Sequence, residues 1–263
     1  MTKKDDINKN TDKELVAANE SENAVAVVSP EDQFMIMTMQ PNELQELLDI
    51  NMTGEELKPS DMPVIKVPSG GATSWTVPSI NGEVVLQELD GIIPFTQLTR
   101  GYWPTSFDDG EPGPPECWSE DGQYGLGEHA QTLVEGKCCN CEYQKFGSGK
   151  NGGQACQQKR LIYFILKDEV LPVVVRAPAM SLKNVRAYLS GLMSRRKPIH
   201  SVYTRLTLVA DKNKKGKQYA KIVCAMIGEV ENPQVTEAYA RSLKPLFMRV
   251  AAESAKTQFG YDD

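Results

Sequence analysis

The chain has 263 residues, 29 Lys/Arg against 35 Asp/Glu, a net charge of −6, and only two histidines. That length allows one sizeable domain with tails, or two small domains. No apolar run approaches the ~18 residues a membrane span needs, so a soluble chain with no membrane partner is expected.

In chain order, residues 1–32 are polar, charged and short of aromatics, and read as a disordered acidic tail. Residues 33–82 read as a short helix and a linker. Leu44, Leu47, Leu48 and Met52 follow helical spacing from Pro41 to Met52, suited to packing on the body or to a partner contact. Pro59, Pro63, Pro68 and Pro78 with Gly70, Gly71 and Gly82 mark the linker, with short edge strands around 64–67 and 74–77. A body spans 83–230. It opens with a long bent strand from Val84 to Leu98, with Asp90-Gly91 as the expected kink. Residues 160–166 and 170–176 form a hairpin, with Pro172 signalling an edge or a strand start. Ser181 caps a helix with Leu182, Val185, Tyr188 or Leu189, and Leu192 on its buried stripe, and Pro198 stops it. Strands at 200–209 and 218–227 flank a basic loop, Asp211–Lys217. Residues 231–263 hold a C-terminal helix, about 233–253, striped with Val235, Ala238, Tyr239, Leu243, Leu246 and Val250, and then a short tail.

Strand, insertion, strand, strand, helix, strand, strand is the element order of an OB fold. The expected fold class is therefore mainly β (α+β), a five-stranded OB barrel with flanking helices. Its insertion, at about 100–158, concentrates the cysteines.

Five of six cysteines lie between Cys117 and Cys156. Cys138 and Cys141 form a C-x-x-C knuckle, whose two thiolates face one ion from a tight turn. Cys117 and Cys156 complete a four-thiolate set suited to structural Zn2+ at about 2.3 Å, with no open position for substrate. The intervening loops are Gly-rich and bury too little apolar surface to order themselves, so ligation has a structural role to fill. Disulfides or free thiols are the alternatives, and the chain has no secretory hydrophobic run to favour disulfides. Cys139 could replace Cys138, although C-x-C is a tighter chelate, and His129 is a possible substitute ligand.

The average charge hides an asymmetry. Residues 1–62 carry 5 Lys/Arg against 14 Asp/Glu, whereas residues 137–221 carry 18 against 4. A basic block in an acidic chain predicts a polyanion-binding body with acidic flanks. Cations interleave with aromatics throughout it. Arg100, Tyr102, Trp103 and Phe107 precede the cysteines, and Tyr143, Lys145, Phe146 and Lys150 lie among them. Lys159, Arg160 and Tyr163 follow, then Arg195, Arg196 and Lys197 at a helix end, Tyr203 and Arg205 on a strand, and Lys212, Lys214, Lys215 and Lys217 in the basic loop. Cations tracking phosphates and rings stacking on bases are how single strands are held. Each has a plainer reading. Tyr163 and Phe164 alternate, so one faces the core; Trp103 can be packing; Arg195–Lys197 can complement a helix dipole.

No catalytic set is apparent. His129 follows Glu128 instead of preceding a glutamate, unlike a zinc deaminase, and Gly147-Ser148-Gly149-Lys150 is too short for a phosphate loop. The chain is expected not to be an enzyme.

The strings G-Y-W-P-T-S-F-D-D-G-E-P-G-P-P-E-C-W-S-E-D-G (101–122), C-C-N-C (138–141), G-S-G-K-N-G-G-Q-A-C-Q-Q-K-R (147–160) and A-P-A-M-S-L-K-N-V-R-A-Y-L-S-G-L (177–192) resemble a family encoded by bacteriophages and mobile elements. That family comprises zinc-containing, OB-type single-stranded DNA-binding proteins, and the resemblance covers about residues 95–230. It implies an OB fold, single-stranded DNA as partner, Zn2+ on Cys117, Cys138, Cys141 and Cys156, a role in phage replication or recombination, and the cytoplasm of a bacterial host. This chain departs from the pattern in Cys139 and in its long acidic N-terminal segment. The acidic tails, including F-G-Y-D-D at the C-terminus, are candidate docking points for replication or recombination proteins. The alternative is a zinc-ribbon adaptor that binds double-stranded DNA or RNA and recruits such proteins.

Overall fold

A computed structural model describes residues 34–40, 42–105, 113–149, 152–213 and 216–257. The expected disorder of 1–32, the F-G-Y-D-D tail, and Phe107, Lys150, Lys214 and Lys215 lie outside the described residues.

The architecture is α+β and strand-rich, a sheet curled into a half-barrel with few helices. The strands are β1 (Val64–Lys66), β2 (Trp75–Ser79), β3 (Gly82–Leu86), β4 (Glu88–Tyr102), β5 (Cys117–Ser119), β6 (Cys156–Leu166), β7 (Val173–Ala177), β8 (Val202–Lys212) and β9 (Gln218–Glu229). The helices are α1 (Met35–Thr38), α2 (Glu43–Asn51), α3 (Leu182–Ser194) and α4 (Pro233–Lys256). Seven strands form one sheet in the order β1-β7-β6-β4-β8-β9, with β5 also paired to β4, while β2 and β3 form a separate hairpin. Where five strands are expected, β1 adds itself parallel to β7, pairing Val64 with Val174, and β5 adds three residues beside Tyr102.

The strand β4 organises the sheet because it pairs twice. Its first residues pair with β8, Glu88 opposite Thr207, and its longer part pairs with β6, ending with Tyr102 opposite Cys156. The register to β6 shifts between Ile92 and Phe95. Pro94 sits in that irregularity, where a residue without an N–H costs no ladder bond. The bend therefore falls after the Asp90-Gly91 pair expected to make it. Gly91 serves packing instead: a Cβ there would come within 2.4 Å of the Ile165 carbonyl and of the Phe164 ring.

Both sheet faces are covered, which is why β6 reads as an unbroken apolar run. Alternation sends Leu161, Tyr163 and Ile165 to one face, against Leu243, Phe247 and Ala251 of α4 and against Phe34 and Ile36. Ile162 and Phe164 point to the other face, with Val175, Leu206 and Ile222, under Trp75 and Val77 of the hairpin and Val185 of α3. On α4 the buried stripe starts at Thr236, whose hydroxyl donates to the His200 carbonyl at 2.8 Å or bonds the Pro233 carbonyl at 3.0 Å, so Val235 and Ala238 face more outward than expected.

At the start of α3, Ser181 stands at the N-cap position without capping through its side chain. Its hydroxyl accepts the Ile222 N–H at 2.9 Å, and Asn184 donates to the Ile222 carbonyl at 3.0 Å. α3 thereby ties down the outer edge of β9, an edge that would otherwise offer unpaired backbone groups.

Candidate metal centre

Strand register builds the candidate centre. Cys117 on β5 and Cys156 on β6 are both directly opposite Tyr102 of β4, so the two thiols flank Tyr102 on one sheet face. Ser119 and Gln158 flank Arg100 in the next row of that face. The turn after β5 carries the knuckle. Asp121 Oδ1 accepts from Gln123 N–H at 2.7 Å and Tyr124 N–H at 2.9 Å, which folds the turn back. Cys138 N–H then donates to the Gln123 carbonyl and Gly125 N–H to the Gly136 carbonyl, both at 2.8 Å. A tight turn closes the knuckle, with Cys141 N–H on the Cys138 carbonyl at 3.1 Å.

As a result Cys117, Cys138, Cys141 and Cys156, all buried, line one cavity of about 10 Å³ together with Arg100, Tyr102 and His129. That is room for about one water-sized sphere. Cys139 faces out, its thiol beside the Asn140 side-chain oxygen. Of the vicinal pair, the buried sulfur is the one the C-x-x-C spacing selects. His129 Nε2 lies 3.5 Å from Cys141 Sγ. Its ring stacks on Tyr143 at 4.6 Å, and Tyr143 stacks on Tyr102 at 4.2 Å.

Burial pushes the Cys117 thiol up to about 11 and Cys156 up to about 12, with the neighbouring thiols adding to both shifts. Burial also raises Cys138, while the Ser119 hydroxyl and the Arg100 charge draw it back. Burial thus works against the thiolate forms of these three, and a cation sharing the pocket is what would offset it. Among the described residues, no three Cys, His, Asp or Glu side chains already stand in an ion-holding arrangement. The fit to Zn2+ thus lies in donor type, burial and the shared cavity. Arg100 adds to it, because Nη1 is buried without a hydrogen-bond partner. No family model, curated protein or solved structure matches this chain.

The residues proposed to meet a polyanion divide by exposure. Lys145, Arg195, Arg196, Lys212 and Lys217 are exposed, as is the Phe146 ring at 84%. Arg195 also donates to the Gly191 carbonyl at 3.0 Å, as expected at a helix C-terminus. Half-buried positions include Tyr102 and Tyr143 in the stack and Arg160, which donates to Thr96 Oγ1 at 2.9 Å. Burial lowers Arg160, with Arg186 of α3 contributing as a second nearby cation. Lys197 pairs with Glu229 at 2.6 Å. Arg205 forks onto Asp90 at 2.7 and 2.6 Å and also meets Glu88 at 2.9 Å, so its charge is already matched by acids.

Four of the residues are core. Tyr163 is fully buried under α4, its hydroxyl on the Phe247 carbonyl at 2.6 Å, so of the Tyr163–Phe164 pair neither ring is left for a ligand. Tyr203 is buried and stacks on Phe34 at 4.7 Å. Trp103 and Lys159 pack together on the α4 face, with Lys159 Nζ 5.7 Å over the Trp103 ring and donating to the Thr257 carbonyl at 2.8 Å. Sequence reasoning missed the His129–Tyr143–Tyr102 stack and the association of Arg100 with the thiols. For Arg100 the available signal is its spacing of two residues from Tyr102, which puts both on one strand face.

Proposed function

We propose that this protein binds single-stranded DNA without catalysis, through an OB-type sheet whose four-cysteine insertion holds Zn2+. The observation that carries the reading is the connectivity of the sheet. The path β7-β6-β4-β8-β9 matches the order third, second, first, fourth, fifth expected of a five-stranded OB barrel opened between its third and fifth strands, which supports this reading. α3 falls between the third and fourth strands, the thiol insertion between the first and second, and the lysine loop between the fourth and fifth. In OB folds those last two loops wall the groove for nucleic acid.

The side chains on these walls suit the task. Lys145 and Phe146 are exposed on the insertion, as are Lys212 at the end of β8 and Lys217 on the loop that follows. Arg160, near Arg186, stands half-buried on the sheet face that carries the thiols, and two guanidinium groups close together suit a phosphate. Exposed cations and an exposed ring suit a chain of phosphates and unpaired bases better than the continuous surface of a duplex.

A competition titration of fluorescent oligo-dT against duplex DNA tests the proposal. The single strand wins, and log affinity falls linearly with log salt, with a slope of about −0.7 per phosphate neutralised. Equal affinity for duplex, or for structured RNA, favours the adaptor reading. Affinity independent of salt contradicts phosphate contact altogether.

A further inference from the structure

We infer that Arg100 is the charge-compensating partner of the thiolate centre, a positioning residue for the four sulfurs and not a contact to nucleic acid. The inference rests on the metal reading and deepens it.

Three observations on Arg100 converge. Alternation along β4 puts it on the face of Tyr102, in the row next to the one holding Cys117 and Cys156, about 7 Å along the strand. Its Nε donates to the Gly122 carbonyl at 2.9 Å, which ties the guanidinium to the turn that carries the knuckle. Its Nη1 is buried, lacks a hydrogen-bond partner, and belongs to a side chain lining the thiol cavity. A guanidinium cannot shed its proton to escape burial, so a buried N–H of this kind calls for an acceptor. The sulfurs of the cavity are the acceptors at hand.

The charge balance points the same way. Zn2+ on four thiolates carries a net charge of −2, and charge taken out of water needs a partner of opposite sign. A guanidinium in the cavity wall offsets half of it and offers N–H donors to sulfur, the kind of outer contact that tunes a metal site. It also holds Nη1 away from solvent, beyond the reach of a phosphate.

The test uses the full chain as wild type, Arg100→Lys, Arg100→Gln and Arg100→Met. Each is titrated with Co2+ to record the thiolate charge-transfer band, and Zn2+ affinity is measured by competition with a chromophoric chelator. Wild type shows a four-thiolate Co2+ spectrum at one ion per chain. Arg100→Met binds Zn2+ about 10- to 100-fold more weakly, the usual cost of losing an outer partner, and Arg100→Lys recovers part of that loss. A packing role predicts no difference between the two variants, because methionine fills the arginine volume as well as lysine does. Arg100→Met binding Zn2+ as tightly as Arg100→Lys overturns the inference. Should Arg100→Met not fold, Arg100→Gln takes its place, and glutamine matching or exceeding lysine overturns it. Zinc-loaded variants keep oligo-dT affinity within twofold; a fall in that affinity with Zn2+ binding unchanged makes Arg100 a nucleic-acid contact and also overturns the inference. A wild type without the Co2+ thiolate band removes the metal reading itself, an outcome seen before any variant is compared.

Discussion

The sheet body and the insertion between β4 and β6 are built on different physics. Around β6 two faces are buried at once, and Tyr163, Phe164 and Phe247 alone place three large rings wholly out of water. In the insertion, the described regular structure is a three-residue strand and a series of one-turn helices. Three thiols are buried there alongside little else of bulk but Trp103, with Ser119 and Ala130, while Phe146, Val134 and Tyr124 stay exposed. The body needs only its own apolar surface to fold. The insertion has the hydrogen bonds of its turns and three buried sulfurs facing that of Cys156, in keeping with the proposal that a ligand supplies its order.

Removing that ligand is the hardest way to break the comparison. Chelation of Zn2+, or Cys141→Ala, removes up to the ~10–16 kcal/mol of apparent free energy a structural zinc site supplies. Hydrogen exchange then speeds up across residues 113–149, while amides of β6 and α4 stay protected. Equal exchange with and without metal breaks the distinction between the two regions. The converse experiment is Phe247→Ala, expected to cost about 3–5 kcal/mol in global stability by denaturant unfolding. The folded fraction keeps its full metal content, and a loss of metal before unfolding couples the regions more tightly than proposed.

A pH experiment sharpens the account of the body. Lys159 is lowered to about 7, first by burial and then by Arg176. An amine depressed below its unfolded value of ~10.4 binds fewer protons when folded, so its contribution makes stability rise with pH from about 7 to about 10. Tyr163 titrates with the opposite sign, since burial raises it, so the Lys159 contribution is read as wild type minus Lys159→Met. A difference that is flat across that window denies the burial of the ammonium. The smallest effect expected is that of Cys139→Ser. With its thiol exposed, metal content stays the same and stability changes by less than about 0.5 kcal/mol. A variant that loses metal moves the ligand set to Cys139.

Strong, local patterns are what the sequence conveyed. The run Arg160–Leu166 and the helical spacing of Leu243, Leu246 and Val250 led to β6 and α4. β3 is hidden in the sequence because Val84, Val85 and Leu86 run straight into β4 and look like one strand. Only Gln87 separates them, while the turn at Ile80-Asn81, closed by Gly82 at φ +112°, folds Val84–Leu86 back onto β2. The exposure of Ile80 at 98% is invisible to a reading that sends apolar residues inward. At the candidate site, spacing alone selects Cys138 over Cys139. For Arg100 it shows only a shared face with Tyr102, because the thiol neighbours depend on a three-residue pairing of β5 with β4, with 14 residues between them in the chain. Tyr163 and Tyr203 show the other limit: aromatic residues in a basic stretch look alike in sequence whether they meet a ligand or a helix.

The central claim is that a metal-ordered insertion and a basic sheet hold an unpaired strand together. It is tested most directly by anisotropy of a fluorescent oligo-dT at low salt, titrated with zinc-loaded protein and with protein stripped by chelator. The account predicts tight binding by the loaded protein and at least a tenfold loss on stripping, restored by adding Zn2+ back. Identical curves for the two forms, or no binding by either, would contradict it.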